Sequence, residues 1–354
     1  MLGVDRRAAR YVWTAALILL LIVLVYLTRR TLFVFVVAIL LAYLVAPLVD
    51  LLDRVLPGRR TRTPALAVSY AMFVGGMIFI GGQIGTEVVE QANALARKAP
   101  EMLAKWQQEV PHAEGAPPPL QYQFLDHVRS EIMRRSSDIV AQLPKLGFRI
   151  LSLATNLINV VIIPVLAFFF LKDGHAIREQ VLTLVDAGPR RALLDDVMAD
   201  VHLLLAHYMR ALVLLSLATF IAYFIAFTMI GVPYGLLLAT TACLLEFIPM
   251  LGPLTAAVIA IAVAAVAGAP LTIVIAFLVG YRLFQDYVLS PNLMGAGIEM
   301  HPLLVMFGVF AGAEVGGIPG TFLSVPILAA ARIVWVRIHK ARTASVTAGP
   351  ARVI

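Results

Sequence analysis

Charge and cysteine are what this chain of 354 residues is short of. Charged residues make up 14% of it, whereas an ordinary soluble domain carries about 25%. The lone cysteine, Cys243, excludes an internal disulfide and a multi-cysteine metal site. It reads as a small apolar residue in a packed helix. Enzyme signatures are missing too: there is no GxxxxGK[ST] loop to cradle a nucleotide, no HExxH zinc helix and no GxSxG nucleophile elbow. His301 stands beside Pro302 with no nucleophile partner, and His202 and His207 are spaced poorly for a ligand pair on one helix face. No catalytic residue, metal site or cofactor is expected.

What fills the chain instead is apolar. Hydrophobic residues reach 61% and the mean hydropathy is +0.90. Uncharged runs of about 17–25 residues suit membrane-crossing helices, not the weak alternation of a barrel. The expectation is an all-α integral membrane protein with about six to eight spans. A net charge of +7 raises the question of nucleic acid, but the arginines cluster at the ends of apolar runs, as the positive-inside rule requires. No nucleic-acid partner is expected. The first run, residues 11–27, lacks a small-residue cleavage site and leads straight into another, so a cleavable signal is not expected either.

Five segments follow. Residues 1–85 read as three spans: 11–27, 31–49 and 64–85. Arg6, Arg7 and Arg10 precede the first, and Arg54, Arg59, Arg60 and Arg62 follow the second. Both flanks are therefore cytoplasmic, with a short turn at residues 28–31 outside, where Arg29 and Arg30 snorkel to the headgroups. Gly75, Gly76, Gly81 and Gly82 in the third span let helices approach closely. Residues 86–147 carry seven basic and eight acidic side chains up to position 146. They read as extracytoplasmic amphipathic helices hinged at Pro117, Pro118 and Pro119. Val88, Ala92, Leu95, Ala99, Met102 and Trp106 form one apolar stripe. A lid, an assembly collar or a packed surface hairpin all fit that pattern.

Residues 148–205 hold a fourth span, kinked at Pro164 and ended by Lys172, Asp173 and Gly174. A charged cytoplasmic stretch follows. In it Asp195, Asp196 and Asp200 do not share one helix face and read as solvated, not as a metal site. Residues 206–336 are the candidate transport core, and residues 337–354 a basic cytoplasmic tail. From Arg332 onward there are five basic residues and no acidic one.

Within the core, residues 233–268 and 302–331 share a pattern: proline, an apolar arm, a glutamate, Ile-Pro, a glycine and a second arm. In the first copy these are Glu246, Pro249, Gly252 and Pro253; in the second, Glu314, Pro319 and Gly320. The prolines remove backbone donors, so the helices must break there. Broken backbone at membrane depth is tolerated only where it is buried in protein or lines a cavity. Each first arm spans only about 20 Å, against a hydrocarbon core of roughly 30 Å. Two opposed re-entrant hairpins, with a site between Glu246 and Glu314, are the expected arrangement. Full-length spans with prolines at their turns are the alternative. In the span at residues 271–289, Arg282 and Asp286 are four apart and can pair, with Gln285 beside them. A break is expected after it, at Ser290, Pro291 and Asn292.

Several stretches together resemble the autoinducer-2 exporter family of bacterial membrane proteins. They are PVLAFFFLKDG at 164–174, GVPYGLLLATTACLLEFIPMLGP at 231–253, YVLSPNLMG at 287–295, and His301 to Leu304 followed by residues 312–326. The resemblance implies a multi-pass protein of the bacterial inner membrane with both termini cytoplasmic. It also implies an extracytoplasmic segment after the third span and a homo-oligomer, with a pentamer as the candidate stoichiometry. The implied activity is export of small polar molecules such as the autoinducer-2 signal, with some relatives proposed as sodium/proton antiporters.

The expected function is thus secondary transport of a small polar solute, with H+ or Na+ as candidate coupling ions and membrane lipid as the surroundings. Glu246 is the candidate coupling carboxylate, Glu314 its counterpart, and Asp286, Gln285 and Arg282 polar wall or charge partners. A sodium/proton antiporter using the same carboxylates is one alternative. A non-transporting scaffold that presents the 86–147 helices is another.

Overall fold

The computed structural model describes residues 6–55, 63–108, 157–294 and 300–347. Every regular element among them is helical, as the long apolar runs require. Among the described residues, five helices are long and apolar enough to cross a membrane, and three shorter apolar ones accompany them. This is an all-α membrane protein. The described residues divide into two units.

The first unit holds α1 (Arg6–Val55), the start of α2 (Thr63–Gln108) up to Tyr70, and α3 (Leu157–Thr183) up to Ala176. The turn expected at residues 28–31 is absent: α1 is continuous over 50 residues. Nothing in Thr28, Arg29, Arg30 and Thr31 obliges a helix to stop. The Thr28 hydroxyl donates back to the Leu24 carbonyl at 2.7 Å, and the Arg29 guanidinium lies over the Tyr26 ring at 4.2 Å. Ala38 and Ala42 of α1 meet Ala167 of α3, small residues that allow close approach. Tyr70 donates to the Pro164 carbonyl. The stop expected at Gly174 is also absent, since α3 runs on to Thr183. A charged pair ends an apolar run without ending the helix.

The second unit begins at Ala71 of α2 and resumes at Ile177 of α3. It contains α4 (Pro189–Ile230), α5 (Gly235–Leu245), α6 (Leu251–Val266), α7 (Leu271–Phe284), a π-helical turn (Gln285–Leu289), α8 (Ser290–Met294) and α9 (Pro302–Thr347). The third span and the first amphipathic stretch are one helix, α2. Val88, Ala92 and Leu95 of its stripe pack on the core formed by α4 to α7, with Leu95 2% exposed. Gln91 accepts the Leu237 N–H at 3.0 Å, satisfying an otherwise unpaired donor in the first turn of α5. The expected second amphipathic helix and its proline hinge lie outside the described residues.

The first hairpin is the centre of this core. α5 has 11 residues and α6 has 16, so they are about 16 and 24 Å long. Their corner is tight: a Cβ on Gly252 would overlap the Leu245 carbonyl. Leu251 N donates to Pro249 O at 2.7 Å across Met250, whose φ is 64° and ψ −51°. That is the strained form of a γ-turn.

The second hairpin turns at Gly317 (φ 62°, ψ −148°) within α9, a backbone that favours glycine. Gly308 then lies against Ser324 and Leu328, residues that a straight helix would hold about 24 Å or more away. Nearer the bend, the Gly312 and Gly320 backbones touch, leaving no room for a Cβ on either. Pro319 comes two residues after the bend, where a helix start tolerates its missing N–H.

The break expected at Ser290, Pro291 and Asn292 does not occur. Pro291 lacks the N–H that would reach Tyr287, and the helix widens just before it. Ser290 N bonds to Gln285 O, five residues back, and α8 continues the rod to Met294.

Candidate functional site

A carboxylate in an apolar core needs donors, and Glu246 has two. It closes α5, with its backbone N–H bonded to Ala242 O at 3.0 Å, and its side chain is buried at 8% exposure. Thr219 of α4 donates its hydroxyl to Oε2 at 3.2 Å. Gln285, the first residue of the π-helical turn, donates Nε2 to Oε1. The Tyr281 hydroxyl lies 2.9 Å from Thr219 Oγ1. Because the single hydroxyl proton of Thr219 goes to Glu246, Tyr281 is the donor in that bond. Two hydroxyls in series thus lead from Tyr281 through Thr219 to the carboxylate.

An aromatic wall stands behind this chain. Tyr223 meets Tyr281, Phe277 and Phe227 edge-on, with centroids 5.6, 5.5 and 5.2 Å apart. On α4, one turn before Thr219, the buried Ser216 hydroxyl has no partner among the described residues. The site therefore combines a satisfied acid with a spare oxygen close by in the chain.

The expected coupling residues separate into three groups. Glu246 and Gln285 are joined directly. Arg282 and Asp286 pair with each other at 2.8 Å, with side chains 44% and 43% exposed, and make no hydrogen bond to Glu246 among the described residues. Glu314 is exposed on the first arm of α9 and shares no hydrogen bond with Glu246. Of the hairpin-tip residues, Gly252 is buried in the first corner, with Pro249 and Pro253 half-buried beside it. The two hairpins meet one residue beyond Glu246, where the Phe247 and Phe322 rings lie 5.8 Å apart.

Sequence reasoning missed Thr219 and Tyr281. A threonine and a tyrosine are ordinary in membrane helices, and only the fold shows that both face one acid. Asp195, Asp196 and Asp200 are not simply solvated. Arg178 reaches Asp195 at 2.6 Å, and Arg337 reaches Asp200 at 2.6 Å and Asp196 at 3.2 Å. No metal-holding cluster of three such side chains occurs among the described residues.

Residues 15–339 match the family model described as AI-2E family transporter. The chain belongs to the AI-2E transporter family. This AI-2E family chain is 26% identical over 313 residues to YueF of Bacillus subtilis (strain 168), named as a candidate transport protein, covering 85% of this chain and 82% of that one. It is 28% identical over 337 residues to MT0215 of Mycobacterium tuberculosis (strain CDC 1551 / Oshkosh), named likewise, covering 92% and 88%. A second Bacillus subtilis relative, YrrI, is 30% identical over 182 residues, 51% of each chain. Family and relatives alike point to a multi-pass membrane transporter and away from an enzyme.

Proposed function

We propose that the chain is a secondary transporter that exports a small polar solute, such as an autoinducer-2-like signal, with Glu246 as the proton-coupled carboxylate. The observation that carries this reading is the hydroxyl chain ending on a buried acid at the corner of a broken hairpin. A proton reaching Tyr281 passes by successive hops: Tyr281 gives its proton to Thr219, Thr219 gives its own to Glu246, and Tyr281 is reprotonated. Gln285 stays bonded to the other carboxylate oxygen and holds the acid in place. Neutralising Glu246 in turn removes a charge from apolar surroundings, which biases the hairpin between two arrangements.

The short arms of the first hairpin support one that enters the membrane without crossing it, since about 16–24 Å falls short of a roughly 30 Å core. In the second, the first arm, Pro302–Gly317, is as short, whereas the second, Pro319–Ala341, is long enough to cross. Glu314, near the second bend, is the matching group on the opposed hairpin, and the Arg282–Asp286 pair the charged wall beside the path. The reading takes both termini as cytoplasmic, the bacterial inner membrane as the location and a homo-oligomer, a pentamer by resemblance, as the working form.

A second reading, sodium/proton antiport, is favoured by the Ser216 oxygen, which has no partner among the described residues and lies on the same helix as Thr219, because hydroxyl and carboxylate oxygens suit a hard cation. Proteoliposomes loaded with a panel of polar metabolites, with and without proton and sodium gradients, separate the two. Proton-driven solute flux supports export; sodium-driven proton movement without solute supports antiport. Neither flux would sink both.

A further inference from the structure

The N-terminal half of α4 and the C-terminal half of α9 run side by side, held by the ion pairs of Arg337 with Asp196 and Asp200. An open groove of about 380 Å3 lies between them, within the roughly 300–1,000 Å3 range of small-ligand sites. Its lining changes character along its length. Leu204, Ala329, Ile333 and Val336 supply an apolar part, whereas Arg332, Arg337 and Lys340 supply three cations and Asp200 one acid. Arg337 is bonded to acids; the side chains of Arg332 and Lys340 make no hydrogen bond or ion pair among the described residues. The α9 contribution recurs at helical spacing, so one face of that helix grades from Ala329 to Lys340 over about 16 Å.

The groove sits where apolar sequence gives way to charge on both helices. α4 turns apolar after Asp200, and α9 turns basic from Arg332. Trp335, on the same stretch of α9 but outside the groove's lining and 73% exposed, is the residue type that gathers at the headgroup level. We propose that this groove binds one anionic phospholipid, its phosphate on Arg332 and Lys340 and its glycerol and upper acyl chain along Leu204, Ile333 and Val336. Basic pockets between membrane helices recognise anionic headgroups in this way. A soluble anion would satisfy the cations and leave the apolar half unused, so the paired character of the groove selects a lipid. Bound there, the lipid bridges the two helices beside the Arg337 clamp.

The test is native mass spectrometry on the purified full-length protein, titrated with phosphatidylglycerol, phosphatidylcholine or inorganic phosphate. Wild type should bind phosphatidylglycerol about tenfold more tightly than phosphatidylcholine, Arg332 and Lys340 each adding to the attraction. Arg332→Gln/Lys340→Gln should erase that preference while leaving the Arg337 ion pairs intact. Ile333→Asn should weaken both lipids together. Equal binding of the two lipids by wild type, an unchanged preference in the double variant, or displacement of phosphatidylglycerol by equimolar inorganic phosphate would each overturn the proposal.

Discussion

Gln285 donates its side-chain amide to the carboxylate of Glu246, joining the start of the π-helical turn to the corner of the first hairpin. The widening of the helix and the break of the hairpin thus meet on one hydrogen bond. π-bulges often mark functional sites, and here the bulge begins at the residue that holds the acid.

Gln285→Leu should destabilise the protein by about 1–3 kcal/mol, because a buried carboxylate oxygen loses its donor. Adding Glu246→Leu removes the unpaired acceptor. The double variant should therefore unfold at a higher temperature than Gln285→Leu alone when followed by thermal denaturation in detergent. A Gln285→Leu variant that melts with the wild type would show that the bond contributes little.

Gly252→Ala should cost about 1–3 kcal/mol, the usual penalty of overpacking, since the added methyl meets the Leu245 carbonyl. Gly280→Ala is the control. It sits in α7 with nothing within 4 Å of the added Cβ and should gain up to about 1 kcal/mol from helix propensity. Melting temperatures of the two variants should move in opposite directions.

Met250→Gly should raise the melting temperature. The γ-turn places a non-glycine residue at φ 64°, strain that costs on the order of 1–3 kcal/mol and that glycine relieves. Glycine also adds freedom to the unfolded chain, so the net gain is expected near the low end. No change would mean that the corner already relaxes around Met250.

Cys243 is the single cysteine, so Cys243→Ser gives a background without thiols. In it, Phe247→Cys/Phe322→Cys should be joined by a short bifunctional thiol reagent, because the two rings touch. Phe247→Cys/Trp335→Cys should not be, since Trp335 lies 13 residues, about 20 Å, further along the same arm than Phe322. Equal yields for both pairs, read by a gel shift after cleavage between them, would separate the hairpins.

The helix breaks before Leu251 and at Gly317 were legible in the sequence because proline and glycine act on the backbone itself. Pro249, Gly252 and Pro319 mark places where a helix cannot continue unchanged, whatever packs on it. Charge carries no such message. Arg29 and Arg30, and later Lys172 and Asp173, suggested ends to helices that run straight through them, since charge reports on surroundings and not on φ and ψ. Pro291 misled in the opposite sense: a π-helical turn absorbs its missing donor and the rod goes on. Glu246 was visible as an acid in apolar sequence, but Thr219 and Tyr281 lie 27 and 62 positions from their partners. No local pattern encodes that meeting.

The central claim is that Glu246 couples transport to proton movement. Its most direct test compares wild type with Glu246→Gln in proteoliposomes, following solute efflux and internal pH together under an imposed proton gradient. Glutamine keeps the size and an acceptor oxygen for Thr219 but cannot take up a proton, so gradient-driven flux should fall at least tenfold while the variant folds and reconstitutes normally. Gradient-driven flux at the wild-type rate in Glu246→Gln would contradict the account.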